Sequence, residues 1–168
     1  MKEALKKIKV VAMDVDGVLT DGRIIIDSNG VEYKNFDVQD GFGIVFLRKC
    51  GIKTAVISAR ESGVIAHRTN DLKIDKVWVG VYPKISAYES MLKEFKVLDS
   101  EVCYIGDDLA DLGVMDRSGF SVAVANAVFE VKQIADYVTA RQGGHGAVRE
   151  AIEMILQAQG YWGPQLYE

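Results

Sequence analysis

A chain of 168 residues, 49% of them hydrophobic and 26% charged, is long enough for one globular domain with a sizeable core, and a single domain over 1–168 is expected. Its net charge of −4 comes without a basic block, which argues against nucleic acid as a partner, and no stretch is long and apolar enough to span a membrane. The only cysteines, Cys50 and Cys103, make no disulfide framework and the start MKEALKKIKV lacks the apolar region of a signal peptide, so a reducing, cytoplasmic setting is expected.

The first element is an apolar run, 8–13, that ends abruptly in Asp14, with Asp16 and Gly17 following. Val, Ile and Met without alternation suit a strand buried on both faces. Asp14 and Asp16 then lie at its C-terminal end, where open α/β sheets place ligands. Strand geometry carried through Asp16 puts both carboxylates on one side, where they repel unless one is protonated or a cation lies between them. The plainer alternative is an Asp-Gly turn. Next, Asn29-Gly30 marks a hairpin of about 22–36, with arms 23–27 and 31–36. Three consecutive isoleucines, Ile24, Ile25 and Ile26, must face both ways, so both faces of this ribbon should be covered. Asp40 is a candidate N-cap for a helix of about 43–49 that stops at Gly51.

Lys53–Ile57 reads as a second buried strand. It ends in Ser58-Ala59-Arg60, ahead of a helix of about 62–72. Ser58 either caps that helix or offers a hydroxyl to a site; Arg60 is either a surface arginine or a guanidinium at the same rim. After a strand at 76–80, Pro83 opens a helix of about 84–96. Lys84 sits at its positive end, locally disfavoured, which points to an anion received there unless Lys84 is an ordinary surface lysine. The strand at 101–105 ends in Gly106-Asp107-Asp108, with Asp111 one turn on. Asp108 alone could cap a helix; three acids there are unusual for capping. Strands at 120–124 and 136–138 follow, then the loop GGHG at 143–146, expected to be flexible, a helix of about 147–159, and a tail, 160–168, carrying Tyr161, Trp162 and Tyr167, which either docks or is disordered.

Alternating strands and helices predict an α/β fold: a Rossmann-like parallel sheet with helices on both faces, plus the projecting β-hairpin. The sheet's rim gathers carboxylates, one lysine and one serine, a hard, oxygen-rich set that selects Mg2+ over zinc. With only two histidines and no Walker-type loop, a histidine-based site or a P-loop is poorly supported. Mg2+ beside a lysine and a hydroxyl suits phosphoryl transfer. One carboxylate can serve as nucleophile, and a second can move the proton.

Asp14-x-Asp16-Gly17-Val18-x-Thr20, Ser58, Lys84, and Gly106-Asp107-Asp108-x-x-Asp111 resemble, in order, the four motifs of the haloacid dehalogenase superfamily of phosphatases, over nearly the whole chain. The hairpin, FDVQDGFGI, GDDLADLGVM and YVTARQGGHGAVREA are similar to its capless branch acting on 3-deoxy-D-manno-octulosonate 8-phosphate in lipopolysaccharide biosynthesis. Ser58-Ala59-Arg60 departs from the more usual Thr-Gly-Arg but keeps the hydroxyl. The resemblance implies that Asp14 is the nucleophile and a Mg2+ ligand, and that Asp16 is the acid/base and gives its backbone carbonyl to Mg2+. It also implies that Asp107 is the third metal ligand, that Ser58 and Lys84 hold the phosphoryl group, and that Asp108 and Asp111 support Lys84 or metal-bound water. Arg60, assisted by Arg68, would meet the sugar acid's carboxylate. With no cap in the sequence, the resemblance implies a homotetramer whose neighbouring subunits close each site, the tail helping at the mouth. Two other readings are an enzyme for a nine-carbon sialic-acid-type 9-phosphate and a non-catalytic oligomerisation module.

Overall fold

In the computed structural model, which describes residues 1–166, a short helix α1 (Lys2–Leu5) leads into β1 (Val10–Met13), buried at every position. The chain continues through β2 (Ile25–Ile26), β3 (Glu32–Tyr33), α2 (Val38–Lys49), β4 (Lys53–Ile57), α3 (Gly63–Asp71), β5 (Lys76–Trp78), α4 (Ile85–Phe95) and β6 (Val102–Gly106). It ends with α5 (Leu112–Met115), β7 (Phe120–Ala123), α6 (Phe129–Ile134), β8 (Tyr137–Val138) and α7 (Ala147–Ala158). Six strands form one parallel sheet in the order β5-β4-β1-β6-β7-β8. Helices α1, α2 and α7 pack together, as do α4, α5 and α6, and helices of both groups meet β4. This is the expected Rossmann-like architecture.

The strand order fixes where a ligand can sit. From β1 the chain moves outward through β4 to β5, then returns to β6 on the other side of β1. The connections therefore diverge at the C-terminal ends of β1 and β6, the crevice used for ligands in such sheets. Met13 is level with Val56 of β4 and Ile105 of β6, so Asp14, Ser58 and Asp107 leave the sheet along one rim.

Three local expectations change. Helix α2 starts at Val38, with Asp37 as N-cap accepting from the Gln39 N–H at 2.6 Å. Asp40 lies in its first turn and is buried. Its carboxylate instead accepts from the Gly146 and Arg149 N–H groups at 3.3 and 2.7 Å, so it caps α7 across space. Packing of α2 on α7 extends the helix through a glycine-containing segment whose local propensity is weak. The 143–146 loop, expected to be flexible, is pinned: the Gly144 N–H donates to Val18 O at 3.0 Å and the Gly143 N–H to Asn126 Oδ1 at 2.6 Å. The tail docks on its own chain. Trp162 lies edge-on to Phe46, the Arg149 guanidinium stacks over Trp162, and Lys49 Nζ donates to Leu166 O. Gln159, just before the tail, reaches Leu5 O and Ile8 O below β1, so this docking is at the sheet end opposite the Asp14 rim. The described part of the tail, 160–166, does not reach the mouth of its own site; Tyr167 lies outside the described residues.

The hairpin is shorter than the expected arms. Ile25 pairs with Tyr33 and Ile26 with Glu32. Asp27 Oδ1 closes the turn by accepting from the Asn29 and Val31 N–H groups. Within one chain its faces are not covered: Ile24, Ile25, Val31 and Tyr33 are exposed, and Ile26 is 59% exposed. Among the described residues no helix is long and apolar enough to cross a membrane.

Candidate active site

Strand geometry ends at Met13, and the loop after it wraps around Thr20. The Thr20 hydroxyl accepts from the Gly17 and Gly22 N–H groups at 3.3 and 3.2 Å, while Val15 O accepts from the Val18, Leu19 and Thr20 N–H groups. Asp14 and Asp16 therefore do not share one direction. Asp14 is buried; Oδ1 accepts from the Val15 N–H at 2.6 Å and Oδ2 lies 2.7 Å from Lys84 Nζ. Asp16 turns toward the hairpin, pairing with Lys34 and lying 3.8 Å from Arg60 Nη1. At Gly17 the backbone has φ +88, and a Cβ there would stand 2.0 Å from Asp107 Oδ2. Only glycine lets this loop approach the second acidic cluster. A Cβ on Gly143 would fall 1.7 Å from Gly17 O, so the GGHG loop presses on the same segment, joined by Asn126 Nδ2 donating to Gly17 O at 3.2 Å.

Lys84, at the N-cap of α4, is buried, with Nζ 2.7 Å from both Asp14 Oδ2 and Asp111 Oδ1. The anion anticipated for this lysine is thus a pair of carboxylates. Burial by itself would lower its pKa; Asp14 and Asp111 outweigh that and raise it. Asp111 is saturated. Oδ1 also accepts from the Tyr104 hydroxyl at 2.8 Å, and Oδ2 from the Asp107 and Asp108 N–H groups at 2.9 and 3.2 Å. Asp108 is exposed and its carboxylate caps the 3-10 turn Leu109–Asp111 through the Leu109 N–H. So of the two expected supporting acids, Asp111 is the one that touches Lys84.

Asp14, Asp107 and Asp111 bring carboxylate oxygens within 4.8 Å of one another. Burial first, then Asp14 and Asp111, push the Asp107 carboxyl up to about 8. Burial, opposed by Lys84 and helped by Asp111, pushes Asp14 up to about 6. Asp107 Oδ1 is buried without a hydrogen-bond partner. An orphaned acceptor, mutually repelling carboxylates and an all-oxygen donor set fit a hard divalent cation. Since Asp111 already accepts four donors, Asp14 and Asp107 are the side chains left to hold it. The expected set of Asp14, Asp107 and the Asp16 carbonyl keeps those two; the Asp16 side chain is engaged elsewhere.

Ser58 follows β4, buried, its Oγ accepting from the Arg60 N–H at 3.2 Å. Its hydroxyl caps the Ser58-Ala59-Arg60 turn, whereas Ser62 caps α3. Arg60 pairs with Glu32 at 3.1 Å. Arg68 is not brought to the cluster within this chain: its guanidinium bonds Asp71 at 2.8 Å and lies over the Phe36 ring, in a groove with Val64 and His67. Sequence reasoning missed Tyr104, Asn126, Glu32 and Lys34. The last two were findable, since residues two apart on a strand share a face.

Comparison with known proteins gives a consistent picture. The haloacid dehalogenase-like hydrolase family profile matches residues 69–152. The 3-deoxy-D-manno-octulosonate 8-phosphate phosphatase of Haemophilus influenzae is 44% identical over 160 residues, covering 95% of this chain and 89% of that protein. The phosphatase of the same name from Escherichia coli K12 is 41% identical over 155 residues, covering 92% and 82%. A crystal structure of the Moraxella catarrhalis phosphatase with magnesium ion, phosphate ion and KDO superimposes with a TM-score of 0.92 at 42% identity, covering 95% and 91%.

Proposed function

The chain belongs to the haloacid dehalogenase-like hydrolase family, and on that premise we propose that it is a Mg2+-dependent phosphatase hydrolysing 3-deoxy-D-manno-octulosonate 8-phosphate to the free sugar acid and phosphate. The observation that carries this reading is the buried Asp14–Lys84–Asp111 triad beside the orphaned Asp107, on a chain that aligns with most of the length of phosphatases of that substrate.

Asp14 is the nucleophile, held by the Val15 N–H and Lys84, and takes the phosphoryl group as an aspartyl-phosphate. Asp16 gives a proton to the leaving oxygen and removes one from the hydrolytic water. Ser58 and Lys84 hold the phosphoryl oxygens. Asp14, Asp107 and the Asp16 carbonyl would hold Mg2+, which supplies charge neutralisation for the transferring group. Arg60 stands beside Asp16, where a guanidinium suits the substrate's carboxylate, with Arg68 further along α3. The exposed isoleucines of a ribbon marginal by itself support a homotetramer assembled through hairpins, with a neighbour covering each rim. Free cysteines agree with a cytoplasmic enzyme.

A phosphate-release screen over sugar phosphates, with and without Mg2+, tests this. Release should be fastest from the eight-carbon 8-phosphate and should fall to background with chelator. Preference for a nine-carbon 9-phosphate would reassign the substrate, and no release from any sugar phosphate would leave a non-catalytic module.

A further inference from the structure

Lys34 has no part in the mechanism above, yet its side chain is 0% exposed. It lies just past β3 on the hairpin. Its ammonium donates to Asp16 Oδ1 and pairs with Glu32 at 3.2 Å. A buried ammonium is costly unless it is paired, and here one of the two partners is the acid/base carboxylate. Glu32 also accepts from Arg60 Nη2 at 3.1 Å and from the Ser62 hydroxyl. One network thus links the hairpin, the loop after β1 and the start of α3. Its effect on Asp16 is asymmetric. Oδ1 is taken by Lys34, whereas Oδ2 is buried with no hydrogen-bond partner and faces Arg60 Nη1, equally unpartnered, across 3.8 Å. With Oδ1 taken by the Lys34 ammonium, Oδ2 is the Asp16 oxygen that accepts no hydrogen bond, and so the one left to exchange a proton.

We propose that Lys34 is a positioning residue for phosphoryl transfer: by holding Asp16 Oδ1 it presents Asp16 Oδ2 to the leaving-group oxygen, and it makes that alignment depend on the hairpin. The proposal rests on Asp16 being the acid/base. In the first step an Asp14 oxygen bonds to phosphorus as the bond from phosphorus to the sugar oxygen breaks, and the proton on Asp16 Oδ2 passes to that oxygen. In the second, water attacks phosphorus and gives a proton to Asp16 Oδ2. The bond from Asp14 to phosphorus then breaks, releasing phosphate and restoring both carboxyl groups. Lys34 neither gives nor takes a proton in either step.

A leaving group that departs as a stable phenolate needs little help from an acid, whereas a sugar alkoxide needs a great deal. The test is therefore rapid-quench and steady-state kinetics on the sugar-acid 8-phosphate and on aryl phosphates of graded leaving-group pKa. Wild type, Lys34→Met, Lys34→Arg and Asp16→Asn are compared, with light scattering and circular dichroism to follow assembly and fold. In the phosphorylation step, read by rapid quench, Lys34→Met should slow transfer from the sugar phosphate by roughly 10–100-fold, a part of the ~10²–10⁴-fold attributed to proton transfer. Transfer from the best aryl leaving group should slow at most a few-fold, while hydrolysis of the aspartyl-phosphate, common to all substrates, should slow equally for each. Lys34→Arg should recover part of both losses. A phosphorylation step slowed equally for every leaving group, or a change confined to KM, overturns the proposal. Should Lys34→Met fail to fold, Lys34→Arg and Lys34→Gln are compared in the same way, and equal losses in the phosphorylation step across leaving groups overturn it. If Asp16→Asn steepens the leaving-group dependence and the Lys34 variants do not, only the positioning role falls. If Asp16→Asn leaves it unchanged, the acid/base assignment falls and the positioning role with it.

Discussion

Two lysines with fully covered side chains each bridge two carboxylates, on very different scaffolds. Lys84 joins Asp14 and Asp111 at 2.7 Å each; both acids follow strands of the central sheet, and Asp111 has a donor for every lone pair it can readily use. Lys34 joins Asp16 and Glu32 from a ribbon whose strands are two residues long and whose isoleucines are open to solvent. The surroundings of Asp14, the proposed nucleophile, are therefore fixed by the core of one chain. Those of Asp16, the proposed acid/base, depend on an element that is marginal unless something packs on it. Substitutions that separate the two hubs should separate chemistry and stability from assembly.

The largest effects belong to the Lys84 hub. Asp14→Asn should abolish turnover in a protein that stays folded, because an amide cannot form the aspartyl-phosphate. Near-wild-type release from a sample shown by mass spectrometry to be free of deamidation would remove Asp14 as nucleophile. Lys84→Met strands two buried carboxylates and should cost about 3–5 kcal/mol of stability, measured by urea denaturation. A cost no greater than that of Lys34→Met would erase the contrast between the hubs.

An intermediate effect belongs to the hairpin. Ile26→Asp should dissociate the proposed tetramer and lower activity on the sugar phosphate while leaving the Asp14–Lys84 core folded. Light scattering beside kinetics checks it: a monomer with full activity would detach the acid/base from assembly.

A smaller effect is the pH dependence of the metal-free protein. Asp14 and Asp107 are raised from 3.8 to about 6 and about 8, and Asp40, mainly by burial, to about 6. Each carboxyl keeps a proton in the folded state that the unfolded chain has already lost. Their contribution is complete below the ordinary value and disappears as pH rises through the folded one. Stability in chelator should therefore fall between about pH 4 and pH 8. With Mg2+ the slope should flatten, since a cation favours the ionised forms of Asp14 and Asp107 and leaves only Asp40 to contribute. Urea midpoints across that range decide it; stability rising toward pH 8 in chelator would contradict the burial argument.

The smallest is the tail. Removing 160–168 takes Trp162 from Phe46 and Arg149 and should cost about 1–3 kcal/mol, with the proposed tetramer intact. Light scattering and thermal denaturation of the shortened chain test both parts; an unchanged melting temperature would mean the docking contributes nothing.

Much of this molecule could be read in the sequence. The strand Lys53–Ile57 and the acids that end β1 and β6 were legible because burial on both faces leaves an unbroken apolar run, whereas the sequence offers Ser58 as a cap of α3 and the structure gives that place to Ser62. The helix α2 was not, because Gly41 and Gly43 weaken the local signal while packing on α7 supplies what propensity lacks. Nor was the role of Asp40: a carboxylate that caps a helix more than a hundred positions away leaves no pattern in its own neighbourhood.

By itself, then, the sequence determined the order of the elements and which residues reach the rim, since both follow from short-range periodicity and from a sheet that delivers all its strand ends to one side. The tertiary structure alone decided which partner each charge takes: Lys84 on Asp14 and Asp111, Lys34 on Asp16 and Glu32, and the GGHG loop against Gly17. Such pairings join residues distant in the chain. Buried charges and polar groups pair with whatever the folded core brings within hydrogen-bond reach, and that is set by packing rather than by spacing.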